Sequence, residues 1–257
     1  MKVVILAGGL GTRLREETEY KPKPMVEIGS RPILWHIMKT YAQHGFTDFV
    51  LALGYKGDII RDYFLNYELR NCDVTLTLGD KDVEIHDGHA ERGWKVTLAE
   101  TGDHTLTGGR VRRLARHLGH ERFMVTYGDG VADIDISDLV RHHASHGKLA
   151  TVTAVRPSSR FGELSVDNGL VQAFREKPQV QSGWINGGFF VFEPPVLDMI
   201  RGDKDSLEQG VLETLAAQQQ LAVYAHAGFW QCMDTFREME LLNDMWRSGQ
   251  APWATWR

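Results

Sequence analysis

The chain has 257 residues, 42% hydrophobic and 25% charged, the balance of a soluble globular protein long enough for one large core plus an excursion. A formal net charge of -5 excludes a dedicated nucleic-acid binder, which needs a basic surface to displace counterions, so positive charge is expected to be local. Two distant cysteines, Cys72 and Cys232, give neither a disulfide framework nor a four-ligand zinc site, and no run approaches the ~20 apolar residues that span a bilayer. The start, Met1 to Ala7, faintly resembles a signal peptide, but its apolar stretch is short and glycines end it. A reducing cytoplasm and no membrane partner are expected.

In chain order, 3–7 is apolar throughout and predicts a parallel strand buried on both faces. Ile33, Leu34, Ile37, Met38 and Tyr41 repeat at helical spacing, predicting a helix over 33–44 that Gly45 stops. A strand over 49–53 and a helix over 58–67 continue a β-α-β-α order. Between 72 and 100 the pattern changes to short strands at 74–78, 83–86 and 96–98, separated by glycine turns, and predicts a small β-rich excursion. A helix over 110–118 and a buried strand over 123–127 follow, the strand running into Gly128-Asp129-Gly130. Ser137 is expected to cap a helix over 138–146. Strands then follow at 149–155, 162–166, 170–176 and 185–192, a helix over 207–220, a strand at 221–226 and a last helix over 236–246. No internal repeat or low-complexity linker divides the chain. One domain over 1–257 is expected, its second half, about 150–235, rich in β structure: an α/β fold with a mixed, mostly parallel, Rossmann-like sheet between helices.

The run Val3-Val4-Ile5-Leu6-Ala7-Gly8-Gly9-Leu10-Gly11-Thr12-Arg13-Leu14 empties an apolar strand into a loop whose glycines let backbone N–H groups approach an anion. Arg13, Lys21 and Lys23 add positive charge, a combination suited to a triphosphate. It is not a P-loop, because no lysine closes it. It is not a dinucleotide fingerprint either, because Leu14 stands where a small residue must let helix and strand pack. In an open α/β sheet ligands gather beyond the carboxyl ends of the strands, and Asp129 sits at such an end.

Leu6-Ala7-Gly8-Gly9-Leu10-Gly11-Thr12-Arg13-Leu14 with Lys21-Pro22-Lys23-Pro24-Met25 resembles the N-terminal signature of the sugar-1-phosphate nucleotidylyltransferases. Gly54-Tyr55-Lys56-Gly57, Thr107-Gly108-Gly109-Arg110, Thr126-Tyr127-Gly128-Asp129-Gly130, Glu176-Lys177-Pro178, Trp184-Ile185-Asn186-Gly187-Gly188 and Met233-Asp234-Thr235 extend the resemblance nearly from end to end. The set is most similar to members that transfer a cytidylyl group to glucose 1-phosphate. The resemblance implies the nucleotide-diphospho-sugar transferase fold, CTP and glucose 1-phosphate as substrates, and CDP-glucose for dideoxysugars of a surface polysaccharide; the alternatives are the same reaction with UTP or dTTP, or a nucleotide-sugar binding module without turnover. It also implies Mg²⁺ as cofactor and a homo-oligomer, a hexamer.

The same resemblance places Leu6, Ala7, Gly8, Gly9, Leu10, Gly11, Thr12, Arg13, Lys23, Thr105, Arg110 and Gly128 against the nucleotide. Arg13 would steady the departing pyrophosphate, and Lys23, held between two prolines, would face the α-phosphate. Asp129 and Asp234 would hold Mg²⁺, two carboxylates suiting a hard cation whose other ligands are phosphate and water. Gly162, Glu176, Lys177, Asn186 and Gly188 would receive the sugar phosphate. Arg110 has only donors, which favours the acceptor atoms O2 and N3 of cytosine. Read singly, several have plainer roles: Asp234 as a helix cap, Glu176 and Lys177 as a surface ion pair, Arg110 as the start of a helix. His142, His143 and His146 read as a solvated helix face rather than a metal site, and Trp246, Trp253 and Trp256 as tail aromatics docked on this chain or a sister subunit. Cys232 and Gly210-Val211 depart from the relatives' pattern, in which prolines occupy positions 232 and 211.

Overall fold

The computed structural model describes residues 1–9, 11, 14–80, 82–86, 88–157, 163–167, 170–175 and 183–257. Strand Lys2–Leu6 lies at the centre, parallel to Asp48–Leu53 on one side, with Val3 opposite Phe49, and to Phe123–Tyr127 on the other, with Val3 opposite Met124. Lys95–Glu100 extends the parallel set beyond Asp48–Leu53. Past Phe123–Tyr127 come Phe190–Phe192 and then Ala150–Val155, both antiparallel pairings, with Leu221–His226 parallel to Ala150–Val155. The result is a mixed, mostly parallel sheet, as the continuous apolar runs require of strands covered on both faces.

Side chains alternate between two cores. Val3 and Ile5 join helix Ile33–Ala42, Phe49 and Trp253 on one face. Val4 and Leu6 join Val111, Phe190, Phe192 and Leu207 on the other. Full burial of each such side chain stabilises the fold by about 1.5–3 kcal/mol, and this pattern fixes strand register because a one-residue slip exchanges the two sets.

Several elements differ from expectation. The third short strand of the excursion joins the main sheet as Lys95–Glu100, leaving a hairpin of Asp73–Leu76 and Val83–His86. Glu163–Asp167 and Leu170–Arg175 pair with each other in a sheet of their own. The expected strand over 185–192 is interrupted: Ile185–Asn186 and Phe190–Phe192 flank Gly188 and Phe189, both with left-handed φ (79° and 47°). The helix expected from 110 begins at Thr107, so Arg110 lies within Thr107–Arg113 rather than at its start. The 207–220 helix opens as a wide turn, Leu207–Leu212, with Gln209 off helical geometry at ψ 42°, before Glu213–Ala217. Asp135, not Ser137, caps Ile136–His146, because the Asp135 carboxylate accepts from the Asp138 N–H.

The histidine face is not solvated. His143 is buried, with Nδ1 2.7 Å from Thr151 Oγ1 and Nε2 3.2 Å from Glu193 Oε1, and His146 Nε2 also meets Thr151. The tail tryptophans dock on their own chain. Trp253 is fully buried, stacks on Phe229, and donates from Nε1 to His36 Nδ1 at 3.3 Å. His36 Nε2 lies 3.0 Å from the Ile28 carbonyl, which can only accept, so the ring is neutral with its proton on Nε2. Burial pushes its pKa down to about 4. No helix among the described residues is long and apolar enough to cross a membrane.

Candidate active site

Lys2–Leu6, Asp48–Leu53, Lys95–Glu100 and Phe123–Tyr127 all end at one edge of the sheet, where a cleft of about 740 Å³ opens. Gly8, Gly9 and Gly11 form one wall. Thr18 secures this loop, its hydroxyl lying 3.0 Å from the Gly11 carbonyl and 2.8 Å from that of Leu14.

Arg110 ties the strand ends together. Its Nη2 donates to the carbonyls of Gly8 (2.9 Å) and Asp103 (3.3 Å), its Nη1 to the carbonyl of Leu53 (3.1 Å) and the hydroxyl of Thr101 (2.7 Å). A methyl group on Gly8 would fall inside the guanidinium, so glycine is required there. Arg110 lines the cleft, but both terminal nitrogens are engaged by the protein itself.

Lys23 sits on the first residue of a short 3-10 turn, Lys23–Met25, entered through Pro22. Its ammonium lies 2.6 Å from Asp129 Oδ2 and also binds Asp234 Oδ1. Burial alone would push this lysine down, but the two carboxylates outweigh it and hold the ammonium above the ordinary lysine value. With 11% of the lysine side chain exposed, the group is far less screened than a surface ion pair.

Local pairing explains how aspartates so distant in sequence meet. Strand Trp230–Cys232 runs antiparallel to Gly130–Ala132, placing Cys232 opposite Gly130, and the Met233 N–H donates to the Asp129 carbonyl at 2.8 Å. Asp234 is not the helix cap: Thr235 caps Phe236–Arg247 in a reciprocal box with Glu238, leaving the Asp234 carboxylate for the cleft. Gly128 lets this assembly close, since a Cβ there would lie 2.9 Å from both the Leu6 carbonyl and Pro24 Cγ. Burial, followed by the charges of Glu238, Asp234 and Asp129, pushes the Cys232 thiol up to about 12, so it stays protonated, 3.9 Å from Asp234 Oδ2.

Leu6, Gly8, Gly9, Gly11, Lys23, Thr105, Arg110, Gly128, Asp129 and Asp234 therefore share one cleft. Ala7 is buried behind it, its N–H bonded to the Ala52 carbonyl. Asn186 and Gly188 adjoin the cleft through Tyr127, whose hydroxyl is 3.1 Å from Asn186 Nδ2. Leu10, Thr12, Arg13, Gly162, Glu176 and Lys177 lie outside the described residues. Lys21 does not join Lys23: it pairs with Glu17 at 3.6 Å and lines a separate cavity.

Sequence reasoning missed Tyr127, Asp103, His104 and Lys204 as cleft residues, and Glu208 behind Tyr127. Tyr127 lay in plain view between Thr126 and Gly128. Lys204 follows no motif and reaches the cleft only through the fold.

A family model described as "Nucleotidyl transferase" matches residues 2–237. The chain is 52% identical over 257 residues, all of both chains, to "Glucose-1-phosphate cytidylyltransferase" of Salmonella typhi. It is 45% identical, again over the whole of both chains, to a protein of Bacillus subtilis (strain 168) named "Probable glucose-1-phosphate cytidylyltransferase". Among solved structures, a UDP-glucose pyrophosphorylase complexed with UDP-glucose superposes with a TM-score of 0.68 at 14% identity, covering 96% of this chain and 98% of that one, a likeness of fold alone.

Proposed function

This chain belongs to the nucleotidyl transferase family, and on that premise we propose that it transfers a cytidylyl group from CTP to α-D-glucose 1-phosphate, giving CDP-glucose and pyrophosphate. The observation that carries the chemistry is the meeting of Lys23, Asp129 and Asp234 at the cleft beneath the glycine loop. The choice of substrates rests on full-length identity to glucose-1-phosphate cytidylyltransferase.

In this reaction an oxygen of the sugar phosphate forms a bond to the α-phosphorus while the bond from that phosphorus to the β-phosphate breaks. Two polyanions must be brought together, so positioning and charge neutralisation dominate and no covalent nucleophile is needed. The glycine loop and Leu6 border the triphosphate and offer it backbone donors, and the resemblance assigns Ala7, Leu10, Thr12 and Arg13 to the nucleotide as well. Lys23 supplies a fixed positive charge near the α-phosphate. Thr105 and Gly128 border the nucleotide, and Arg110 shapes the pocket by fixing the Gly8 and Asp103 carbonyls. Gly162, Glu176, Lys177, Asn186 and Gly188 take the sugar phosphate.

Asp129 and Asp234 already converge on one cationic point, a donor set of hard oxygens that fits Mg²⁺. Bound there, the ion supplies charge neutralisation to the phosphate oxygens.

The enzyme works in the cytoplasm, a reading supported by a sequence with only two cysteines, too few for a disulfide framework. It serves dideoxysugar formation for a surface polysaccharide such as O-antigen. It assembles as a homo-oligomer, a hexamer by resemblance, and the exposed apolar side chains Leu76, Val83 and Ile85 on the outlying hairpin supply a surface for it.

Pyrophosphate release with CTP, UTP, dTTP, ATP and GTP at equal concentration, each with glucose 1-phosphate, tests the assignment. CTP is expected to lead, and preference for UTP or dTTP would overturn the cytidylyl claim. Lys23→Ala is expected to remove most turnover while nucleotide binding persists; unchanged turnover would reject its role.

A further inference from the structure

Behind the cleft a single carboxylate collects three hydroxyl groups. Glu208 Oε1 accepts from Tyr127 Oη at 2.7 Å, and Glu208 Oε2 accepts from Thr107 Oγ1 and Ser206 Oγ, both at 2.6 Å. Burial would raise the Glu208 pKa, but these donors outweigh it and keep the group ionised below its ordinary value.

The direction of every bond along this path is fixed. The Gly188 N–H donates to Asn186 Oδ1 at 2.9 Å, which turns the amide nitrogen of Asn186 toward Tyr127. Tyr127 Oη accepts from Asn186 Nδ2 at 3.1 Å and passes its own proton toward Glu208. On the far side Thr107 Oγ1 accepts from the Leu207 N–H, and Ser206 Oγ from the N–H groups of Glu208 and Gln209. Ser206 Oγ already accepts two N–H groups and Thr107 Oγ1 one, and both turn their own O–H to Glu208, so an amide nitrogen at position 208 would face donors there.

The backbone leaves regular geometry at both ends of this path. The strand is broken at Gly187 to Phe189, with Phe189 buried at a left-handed φ of 47° that an L side chain disfavours. At the other end, Gln209 leaves helical geometry immediately after Glu208. Tyr127 itself lines the cleft, two residues before Asp129.

We propose that Glu208 is a positioning residue that, through Tyr127, sets the orientation of Asn186 and so the acceptance of the sugar phosphate. The inference rests on the reading of the cleft given above, in which Asn186 and Gly188 face the sugar phosphate. The Gly188 N–H and the Tyr127 hydroxyl together hold the Asn186 amide, and Glu208 is the acceptor that keeps a lone pair of Tyr127 turned toward Asn186.

Steady-state KM values for each substrate in wild type, Glu208→Gln, Tyr127→Phe and Asp135→Ala test this, using the nucleotide that wild type itself prefers. Glu208→Gln and Tyr127→Phe are each expected to raise the KM for glucose 1-phosphate about tenfold, the scale of one hydrogen bond misdirected, while the KM for the nucleotide stays within about twofold. The double variant is expected to match the worse single one, since both break one path. Asp135→Ala loses the cap of helix Ile136–His146, outside this network, and is expected to melt lower with its sugar-phosphate KM unchanged. Unchanged KM in Tyr127→Phe, or an equal rise in Asp135→Ala, would overturn the inference. A wild type that prefers another nucleotide would overturn the cytidylyl reading while leaving these ratios measurable, and one with no turnover would overturn both.

Discussion

Replacing Arg110 by lysine keeps the charge and most of the stem but substitutes one point for a two-pronged fork. In the structure one prong meets the Gly8 and Asp103 carbonyls and the other meets the Leu53 carbonyl and Thr101 hydroxyl. An ammonium can serve one of these pairs. Thr101 also donates to the Leu53 carbonyl, so the heavier loss falls where the prong is removed from Gly8 and Asp103. The Gly8 carbonyl would keep only the long 3.4 Å bond from the Tyr55 N–H, and Asp103 lies at the exposed end of the site, so Arg110→Lys should destabilise by about 1–3 kcal/mol. For a chain of this size that is a fall in melting temperature of about 3–10 °C, read by calorimetry or circular dichroism. A variant melting within about 2 °C of wild type would refute the assignment of Arg110 as the tie between strand ends.

Three further outcomes follow from the same structure. Gly8→Ala drives a methyl into the Arg110 guanidinium and is expected to weaken nucleotide binding and lower the melting temperature; normal binding by titration calorimetry would count against the tight loop. Trp253→Ala should cost about 3–5 kcal/mol because a fully buried indole is lost, and an unchanged denaturant midpoint would contradict its place in the core. His36, with a folded pKa of about 4 against an ordinary 6.5, is neutral when folded and charges on unfolding, so the unfolded state binds more protons between these values. Its contribution is complete above pH 6.5 and is lost as pH falls toward 4, about 2 kcal/mol by pH 5. His36→Phe should flatten the melting profile between pH 7.5 and 5, and an equally steep profile would remove His36 as a cause.

The central strands and glycine loop were legible because a strand buried on both faces needs a continuous apolar run, and Val3, Val4 and Ile5 provide one. The start of the Arg110 helix was not, because Leu106 caps it without a side-chain bond, while the Thr107 hydroxyl serves Glu208 and Leu207. Lys95–Glu100 resembled a hairpin strand because it is an edge strand with partly exposed side chains, and its parallel partner is far back in the chain. The candidate ligands Asp129 and Asp234 were recognisable by motif, but their meeting at Lys23 depends on the register of Cys232 against Gly130. Glu208 carried no local sign of its role, because two of the three hydroxyls it binds, those of Thr107 and Tyr127, come from distant segments.

Residues 23, 129 and 234 are far apart in the sequence, yet their charges converge within hydrogen-bonding distance. A partly unravelled chain cannot present that constellation. Any ligand seated there consequently binds the native ensemble alone and shifts the conformational equilibrium by mass action, about 2.7 kcal/mol at a hundredfold excess over its dissociation constant. Substrate supply thereby becomes a determinant of how long the protein survives proteolysis.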